Sequence, residues 1–347
     1  MAFQLDRAGE VLTRFKRHRK AFWHFRTLAF LFQWIRGDRH VSYPPLKLHI
    51  EPTPFCNLRC PMCPQSVPEF KAPKQFMELE LYRKIIRECQ KSVFEVNLFF
   101  RGESLFHPNL SEMVRIAEEA GVAVNLDTNA TVLTGSLSRA LIEAGLSKIQ
   151  FSLDGETKEL YEKMRKGANF ERTLDHVLSF LKIKKSLKRR KPHVSIQAIK
   201  FYKAGEPLRL SPEFRKLFRG LPVNEFNGVW ARNWAGTFKD SPEINARLGK
   251  KYFQCAWLWK ALAVYYDGTV ALCCTDFFER HNLGDLKTQS LMEVWNGPRM
   301  QEMRRRHQKE DYRGLPCEHC DFLWNQDTPQ WRIVHGMKNI LSRPQKS

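Results

Sequence analysis

Three cysteines within eight residues constrain this chain more than anything else in it. Cys56, Cys60 and Cys63 stand in a C-x3-C-x2-C spacing, directly after an apolar run at 46–50 that reads as a strand. Pro54, Pro61 and Pro64, with Asn57, keep the loop out of helix or ladder, so the sulfurs can converge. Three thiolates on one tight loop hold three irons of a [4Fe–4S] cube and leave the fourth iron open to a substrate or cofactor. A zinc site would want paired C-x2-C knuckles or histidines at ligand spacing, and the loop offers neither. A disulfide reading fails on the odd count and the crowding.

The rest of the composition fits a folded, reducing setting. A chain of 347 residues has room for one large core and a smaller second one, and 43% hydrophobic with 12% aromatic residues is the make-up of a folded protein. Nine cysteines, mostly clustered, suit metal binding in a reducing cytoplasm better than a secreted disulfide framework. No apolar run reaches the ~20 residues that cross a bilayer, and residues 27–35 come nearest. The first fourteen residues lack the apolar core of a cleavable signal peptide. The net charge of +20 points to an anionic partner: nucleic acid, an acidic lipid surface, a phosphorylated substrate or an acidic electron donor. Basic side chains scattered over solvated faces account for part of that excess.

From residue 46 onward, strand-like runs alternate with helical ones, the pattern of βα units around a parallel sheet. The strand runs are 46–51, 94–100, 122–127, 148–153, 193–199 and 223–226, and helical stretches lie near 77–90, 110–120, 136–144, 170–188 and 212–218. Polar residues gather where the strands end: Arg101-Gly102-Glu103-Ser104, Asp127-Thr128-Asn129-Ala130 and Ser152-Leu153-Asp154-Gly155. Gly102 permits close backbone approach, and the Glu103 carboxylate suits an ammonium partner.

The cysteine loop resembles the signature of the radical S-adenosylmethionine (SAM) superfamily. The resemblance implies a partial (β/α)6 TIM-like barrel, an α/β fold with a small C-terminal auxiliary cluster domain. It also implies SAM bound at the open iron, cleavage to a 5′-deoxyadenosyl radical, and hydrogen abstraction from a substrate. Residue by residue it implies Gly102 and Glu103 at the SAM amino group, and Thr128 and Asn129 lining the cofactor pocket. Ser152 and Asp154 then fall near the ribose, Arg165 at the carboxylate, and Gln197 at the ribose or methionine moiety. Met62 stands where the family usually has an aromatic, and is expected to meet the adenine by packing and backbone. Arg101, Ser104 and Ala130 depart from the family pattern.

Five further cysteines lie near the C-terminus: Cys255, Cys273, Cys274, Cys317 and Cys320. The run 264–272, with Asp267-Gly268 at its turn, reads as a β-hairpin that brings Cys255 beside Cys273, and the later C-x2-C pair closes the cage. Four thiolates hold either a second [4Fe–4S] cluster or a zinc ion. The layout resembles the SPASM/twitch extension of radical SAM enzymes, which implies an auxiliary cluster on Cys255, Cys273, Cys317 and Cys320. The Gly268-x4-Cys273 spacing within that resemblance favours Cys273 over Cys274. Such a cluster has no open iron and serves electron transfer or structure. Gly284 is read as part of a loop ahead of a short helix carrying Leu291, Val294 and Trp295, and Cys89 as a buried apolar filler.

These readings divide the chain into a basic amphipathic helix at 1–42, a radical SAM core at 43–230, an auxiliary domain at 231–330 and a basic tail at 331–347. The helical pattern at 9–36 is expected to pack its aromatic stripe on the main domain, with a seat in lipid headgroups as the alternative. The basic run at 182–191 reads as a solvated helix end, or as a dock for an acidic flavodoxin- or ferredoxin-type donor. Trp230, Arg232, Asn233 and Trp234, on a loop beyond the sixth strand, either line a substrate pocket or seal the domain junction. The functional expectation is a cytoplasmic radical SAM enzyme, peripheral to the membrane if the helix meets lipid. Its reaction is a net, dehydrogenase-like oxidation of a small, sugar-like or lipid-linked substrate. A peptide- or protein-modifying enzyme is the second reading, and a non-catalytic iron–sulfur electron carrier the third. Nucleic acid is disfavoured as a partner because no RNA-binding module accompanies the charge.

Overall fold

The computed structural model describes residues 21–203, 205, 207–238, 240–245 and 255–324. Residues 9–20 of the expected N-terminal helix and the 331–347 tail lie outside them. The described part begins with α1 (Ala21–Arg36). Six parallel strands follow: β1 (Lys47–Ile50), β2 (Glu95–Asn97), β3 (Ala123–Thr128), β4 (Lys148–Ser152), β5 (His193–Lys200) and β6 (Glu225–Trp230). The helices between them are α2 (Leu79–Cys89), α3 (Leu110–Glu119), α4 (Gly135–Glu143), α5 (Lys158–Met164), α6 (Phe170–Ser186) and α7 (Pro212–Lys216). The strand order β6-β5-β4-β3-β2-β1, every pair parallel, is that of a partial (β/α)6 barrel.

Apolar and polar residues alternate along β1 to β4 and into β5. Leu48, Ile50, Val96, Val124, Leu126, Ile149, Phe151, Val194 and Ile196 point outward and are completely buried under the helices. Their neighbours His49, Asn97, Asn125, Asp127 and Gln150 face the other way, into the barrel, because successive strand residues point to opposite faces. The interior is therefore a polar lattice. Lys47 pairs with Glu95 at 2.6 Å, Asn125 donates to Glu95 and Asn97 at 2.9 and 3.0 Å, and Asn97 meets His49 at 3.0 Å.

The chain then adds β7 (Ala261–Val264), β8 (Thr269–Ala271) and β9 (Asn282–Asp285) to the same sheet. Strand β7 lies parallel to β1, Leu48 opposite Leu262 and Ile50 opposite Val264, while β8 and β9 are antiparallel. One nine-stranded sheet thus runs through both the barrel and the hairpin that precedes the later cysteines. The Asp-Gly turn forms as expected, with Gly268 at φ 94°. Gly284, expected in a loop, lies in β9, where an added Cβ would stand 2.7 Å from Val294 and from Gln289. The short helix α8 (Leu291–Trp295) opens with a capping box between Ser290 and Glu293. Helix α9 (Pro298–Gln308) completes the part that packs under the hairpin.

The sixth strand departs from the sequence expectation. It runs to Trp230, although Asn227-Gly228 reads as the start of a loop, since both residue types are poor strand formers. Gly228 is there because the Leu208 carbonyl oxygen lies 1.7 Å from where its Cβ would stand. Gly228→Ala is expected to lower stability by about 3 kcal/mol or more, read as a shift in the denaturation midpoint, because the obstructing atom is backbone.

Candidate active site and second cysteine site

The loop after β1 puts the first three cysteines at the C-terminal mouth of the barrel. The thiols sit in a pocket of Leu58, Met62, Met164, Ala231 and Ile244. Cys56 Sγ accepts from the Leu58 N–H at 3.5 Å and the Asn129 amide at 3.8 Å, and Cys60 Sγ faces Arg165 Nη1 at 3.8 Å. Burial pushes Cys56 and Cys63 up to about 12. It raises Cys60 as well, against the pull of the Arg165 guanidinium. These thiols ionise by taking up metal, so loading releases protons.

The surroundings fit a cluster with a bound cofactor. An added Cβ on Gly102 would lie 2.2 Å from the Thr53 oxygen and 2.6 Å from the Phe55 oxygen, so the loop after β2 is pressed against the cysteine loop. Glu103 is buried; its Oε1 accepts from Thr128 Oγ1 at 2.8 Å and Leu105 N at 3.1 Å, and its Oε2 from Asn129 N at 2.7 Å. Oε2 keeps one lone pair for an ammonium. Ser152 and Gln197 are register partners across β4 and β5, half-buried, and no hydrogen bond among the described residues engages either side chain. Two adjacent polar groups aimed from strand ends suit a hydroxylated ligand.

Asp154 is placed differently from the sequence expectation. Its Oδ1 accepts from Ile199 N at 2.7 Å and its Oδ2 pairs with Arg165 Nε at 2.5 Å. Both oxygens are thus engaged by the protein, and Asp154 holds the arginine in position. Arg165, fixed this way, keeps its terminal nitrogens toward Cys60. Met62 is buried, and its carbonyl accepts from the Trp234 indole at 2.9 Å. Asn129 donates to Asn57 at 3.2 Å and accepts from Thr131, tying the turn after β3 to the cysteine loop. In that turn Ala130 sits at φ 58°, the left-handed region where the family has glycine.

Sequence reasoning missed two side chains. Asp127, on the inner face of β3, accepts from Gln150 at 3.0 Å. Burial pushes it up to about 7, Lys148 and Lys47 pull it down, and Glu103 pushes it up further. Its signal was the alternation in Val-Asn-Leu-Asp-Thr, a polar inner row along an otherwise apolar strand. The second is Arg101, which makes a bidentate pair with fully buried Glu51 at 2.6 and 2.7 Å. It also donates to Glu279 and to the Phe277 carbonyl and lies 4.2 Å over the Tyr265 ring.

The second site gathers Cys255, Cys273, Cys274, Cys317 and Cys320. Burial raises all five thiols, and mutual repulsion raises Cys274, Cys317 and Cys320 further, each against both Cys255 and Cys273. Cys274 therefore lies inside the group that sequence spacing assigned without it. Cys273 Sγ is met by Thr275 N at 3.4 Å and Oγ1 at 3.0 Å, and Cys317 by His307 at 3.3 Å. Among the described residues no set of three or more His, Cys, Asp or Glu side chains closes around a single ion. A four-iron cube takes one thiolate at each corner, a wider arrangement than four ligands on one zinc.

Arg232, Asn233 and Trp234 tie the segment after β6 to the segment bearing the later cysteines. Arg232 pairs with Asp321 at 3.5 Å and lies 4.0 Å over Phe322, Asn233 donates to the His319 carbonyl at 2.9 Å, and Trp234 packs on Phe277 at 5.6 Å. Trp230 closes β6 beside Tyr202 at 5.3 Å. The basic run that begins in the last turns of α6 is partly committed, with Lys184 buried against the Pro222 carbonyl and Lys185 bonded to that of Gly220. Cys89 is fully buried in α2, as expected.

Comparison with known proteins agrees with this geometry. Residues 50–187 match the radical SAM superfamily and residues 255–321 an iron–sulfur cluster-binding domain of the SPASM type. The chain therefore contains a radical SAM domain followed by a SPASM-type iron–sulfur domain, and these domains support SAM and iron–sulfur clusters as cofactors. A tungsten-containing aldehyde ferredoxin oxidoreductase cofactor-modifying protein of Pyrococcus furiosus is 30% identical over 163 residues, covering 44% of this chain and 43% of that one. A PqqA peptide cyclase of Rhodopseudomonas palustris is 30% identical over 121 residues, covering 35% of this chain and 32% of that one. The matches thus span less than half the length of these curated relatives. The crystal structure of BtrN in complex with AdoMet and 2-DOIA shares the fold, with a TM-score of 0.51 at 17% identity, covering 80% of this chain and 92% of that one.

Two outcomes follow from these environments. Replacing Ala130 by glycine relieves a left-handed alanine, and is expected to stabilise the chain by up to about 1 kcal/mol in chemical denaturation. Asp127 titrates near 7 when folded and near 3.9 when unfolded. The stability that comes from keeping it protonated is complete below the unfolded value and is lost as pH rises through 7. Asp127→Asn should therefore be more stable than the parent at pH 8, with the advantage shrinking by pH 5, as thermal melts at the two pH values would show.

Proposed function

We propose that the protein is a dehydrogenase-like radical SAM enzyme that oxidises a small, polyhydroxylated substrate held in the polar lumen. When bound, SAM and the first cluster supply a hydrogen-abstracting radical, and the second cluster supplies an electron sink. The remaining tasks fall to side chains. Oxidising a secondary alcohol to a carbonyl removes a hydrogen atom, a proton and an electron, and Asp127 is the group placed to take the proton. The observation that carries this reading is a carboxyl poised near neutrality on the barrel's inner face, beside the residues assigned to SAM. His49, Asn97 and Asn125 below it favour a ligand rich in hydroxyls over an apolar one.

The residues proposed as ligands are Cys56, Cys60 and Cys63 for the first cluster and Cys255, Cys273, Cys317 and Cys320 for the second. Gly102, Glu103, Thr128, Asn129, Ser152, Arg165 and Gln197 are proposed to surround SAM, with Met62 beside the adenine. An acidic flavodoxin- or ferredoxin-type donor would meet the exposed part of the basic run, Lys188 to Arg190. A peptide substrate is the second reading, favoured by the likeness to a peptide cyclase.

Anaerobic turnover of the iron-loaded protein tests the assignment. Alanine at Cys56, Cys60 or Cys63 should abolish 5′-deoxyadenosine formation. Alanine at Cys317 should leave that formation in place while removing about four irons, because it strips the second cluster only. Asp127→Asn should keep SAM cleavage and lose oxidised product by about a hundredfold or more. Full product formation by Asp127→Asn would overturn the proton-acceptor role, and turnover of a peptide but of no polyol would favour the second reading.

A further inference from the structure

Helix α1 is apolar on two sides. Phe30, Trp34 and Ile35 are turned into the body and buried, with Phe30 stacked on Trp34 at 5.7 Å and edge-on to Tyr43 at 6.4 Å. Arg26 donates to the carbonyls of Lys91 and Ser92 at 3.0 and 3.2 Å, and the Asp38 carbonyl accepts from Trp259 at 2.8 Å. The helix thus packs on the body, but through Phe30, Trp34 and Ile35, and Phe25 and Phe32 of the aromatic stripe expected to make that contact face outward. Phe25 is 76% exposed, Leu28 62% and Phe32 47%. Their spacing of three and four places them on one stripe, which ends at exposed Arg36, its guanidinium 5.2 Å over the Phe32 ring.

Charge says what covers this stripe. The helix contains no carboxylate from Ala21 to Arg36. The sequence leading into it, residues 7–20, carries Arg7, Arg14, Lys16, Arg17, Arg19 and Lys20 against Glu10 alone. Large apolar side chains beside a polybasic segment are the two signals that together hold a protein on an anionic bilayer, where one signal is marginal. An acidic protein would answer the cations but leave Phe25, Leu28 and Phe32 without an apolar counterpart of matching depth. A second copy of this chain, at +20, would be repelled.

We propose that α1 docks on a membrane surface rich in anionic lipid. Phe25, Leu28 and Phe32 lie at the headgroup–acyl boundary with Arg36 at the headgroups, and the basic sequence ahead of the helix adds to the attraction. The seat also fixes the orientation. Ser92 precedes β2 and the one-turn helix Trp257–Lys260 precedes β7, so α1 crosses the N-terminal end of the parallel strands, opposite the cysteine-bearing mouth. A docked molecule presents that mouth to water, and its substrate arrives from the aqueous side.

The test is flotation of the full-length, iron-loaded protein with vesicles. One set contains roughly one-third phosphatidylglycerol in phosphatidylcholine, and the other phosphatidylcholine alone. Binding is expected to the anionic vesicles only, and to fall as salt rises from about 0.1 to about 0.5 M. The triple variant Phe25→Ser, Leu28→Ser, Phe32→Ser should bind about tenfold more weakly with unchanged iron content and melting temperature. Failure of the parent protein to bind, or equal binding by the triple variant, overturns the proposal. A salt-stable dimer that the triple variant dissociates, without vesicle binding, assigns the stripe to a second copy. None of these readouts depends on turnover, so the docking stands or falls apart from the reaction proposed above.

Discussion

The arrangement depends on a buried ion cluster. Glu51, at the end of β1, has no exposed surface, and Arg101 answers both of its oxygens. Burial raises the Glu51 carboxyl, and the Arg101 guanidinium opposes that shift. Such a pair adds little stability over an apolar substitute, but removing one partner leaves an uncompensated charge and costs about 3–5 kcal/mol. Its contribution is specification. Arg101 immediately precedes the Gly102-Glu103 pair, Glu51 leads into the cysteine loop, and Phe277 and Glu279 follow Cys273 and Cys274. One guanidinium sets the mutual placement of three segments that bear on cofactor chemistry.

The polar lumen depends on the same alternation that builds the core. A parallel strand covered on both faces reads as a continuous apolar run, whereas β1 to β4 are apolar on the helix side and largely polar on the other. Each polar inner residue is answered by a neighbour on the next strand. The interior is thereby fixed as a surface before any ligand arrives, and ligand binding need not pay to order it. Near the mouth the lattice thins, and Ser152, Gln197 and Asp127 are left with spare hydrogen-bonding capacity.

Much of this was legible in the sequence. The cysteine spacing, the six βα units and the Asp-Gly hairpin are local patterns, and the structure has them where periodicity and turn chemistry put them. What was not legible depends on contacts between distant segments. Arg101 looked like a departure from a glycine-rich motif because its carboxylate partners lie about fifty positions before it and far after it. Asp154 is assigned to the ribose by family resemblance, and only the fold reveals Arg165 beside it. Gly228 looked like a loop signal, since nothing local announces the Leu208 carbonyl. Cys274 cannot be separated from Cys273 by spacing once both thiols enter one group.

The in-register seam between β1 and β7 has a consequence for electron flow. Backbone hydrogen bonds lock the segment bearing the later cysteines to the strand that launches the earlier ones. Among the described residues this ladder, not a tethered module, sets the spacing of the two cysteine sites. An electron passing between the clusters proposed there would cross a fixed gap, at a rate governed by driving force and hardly at all by solvent viscosity.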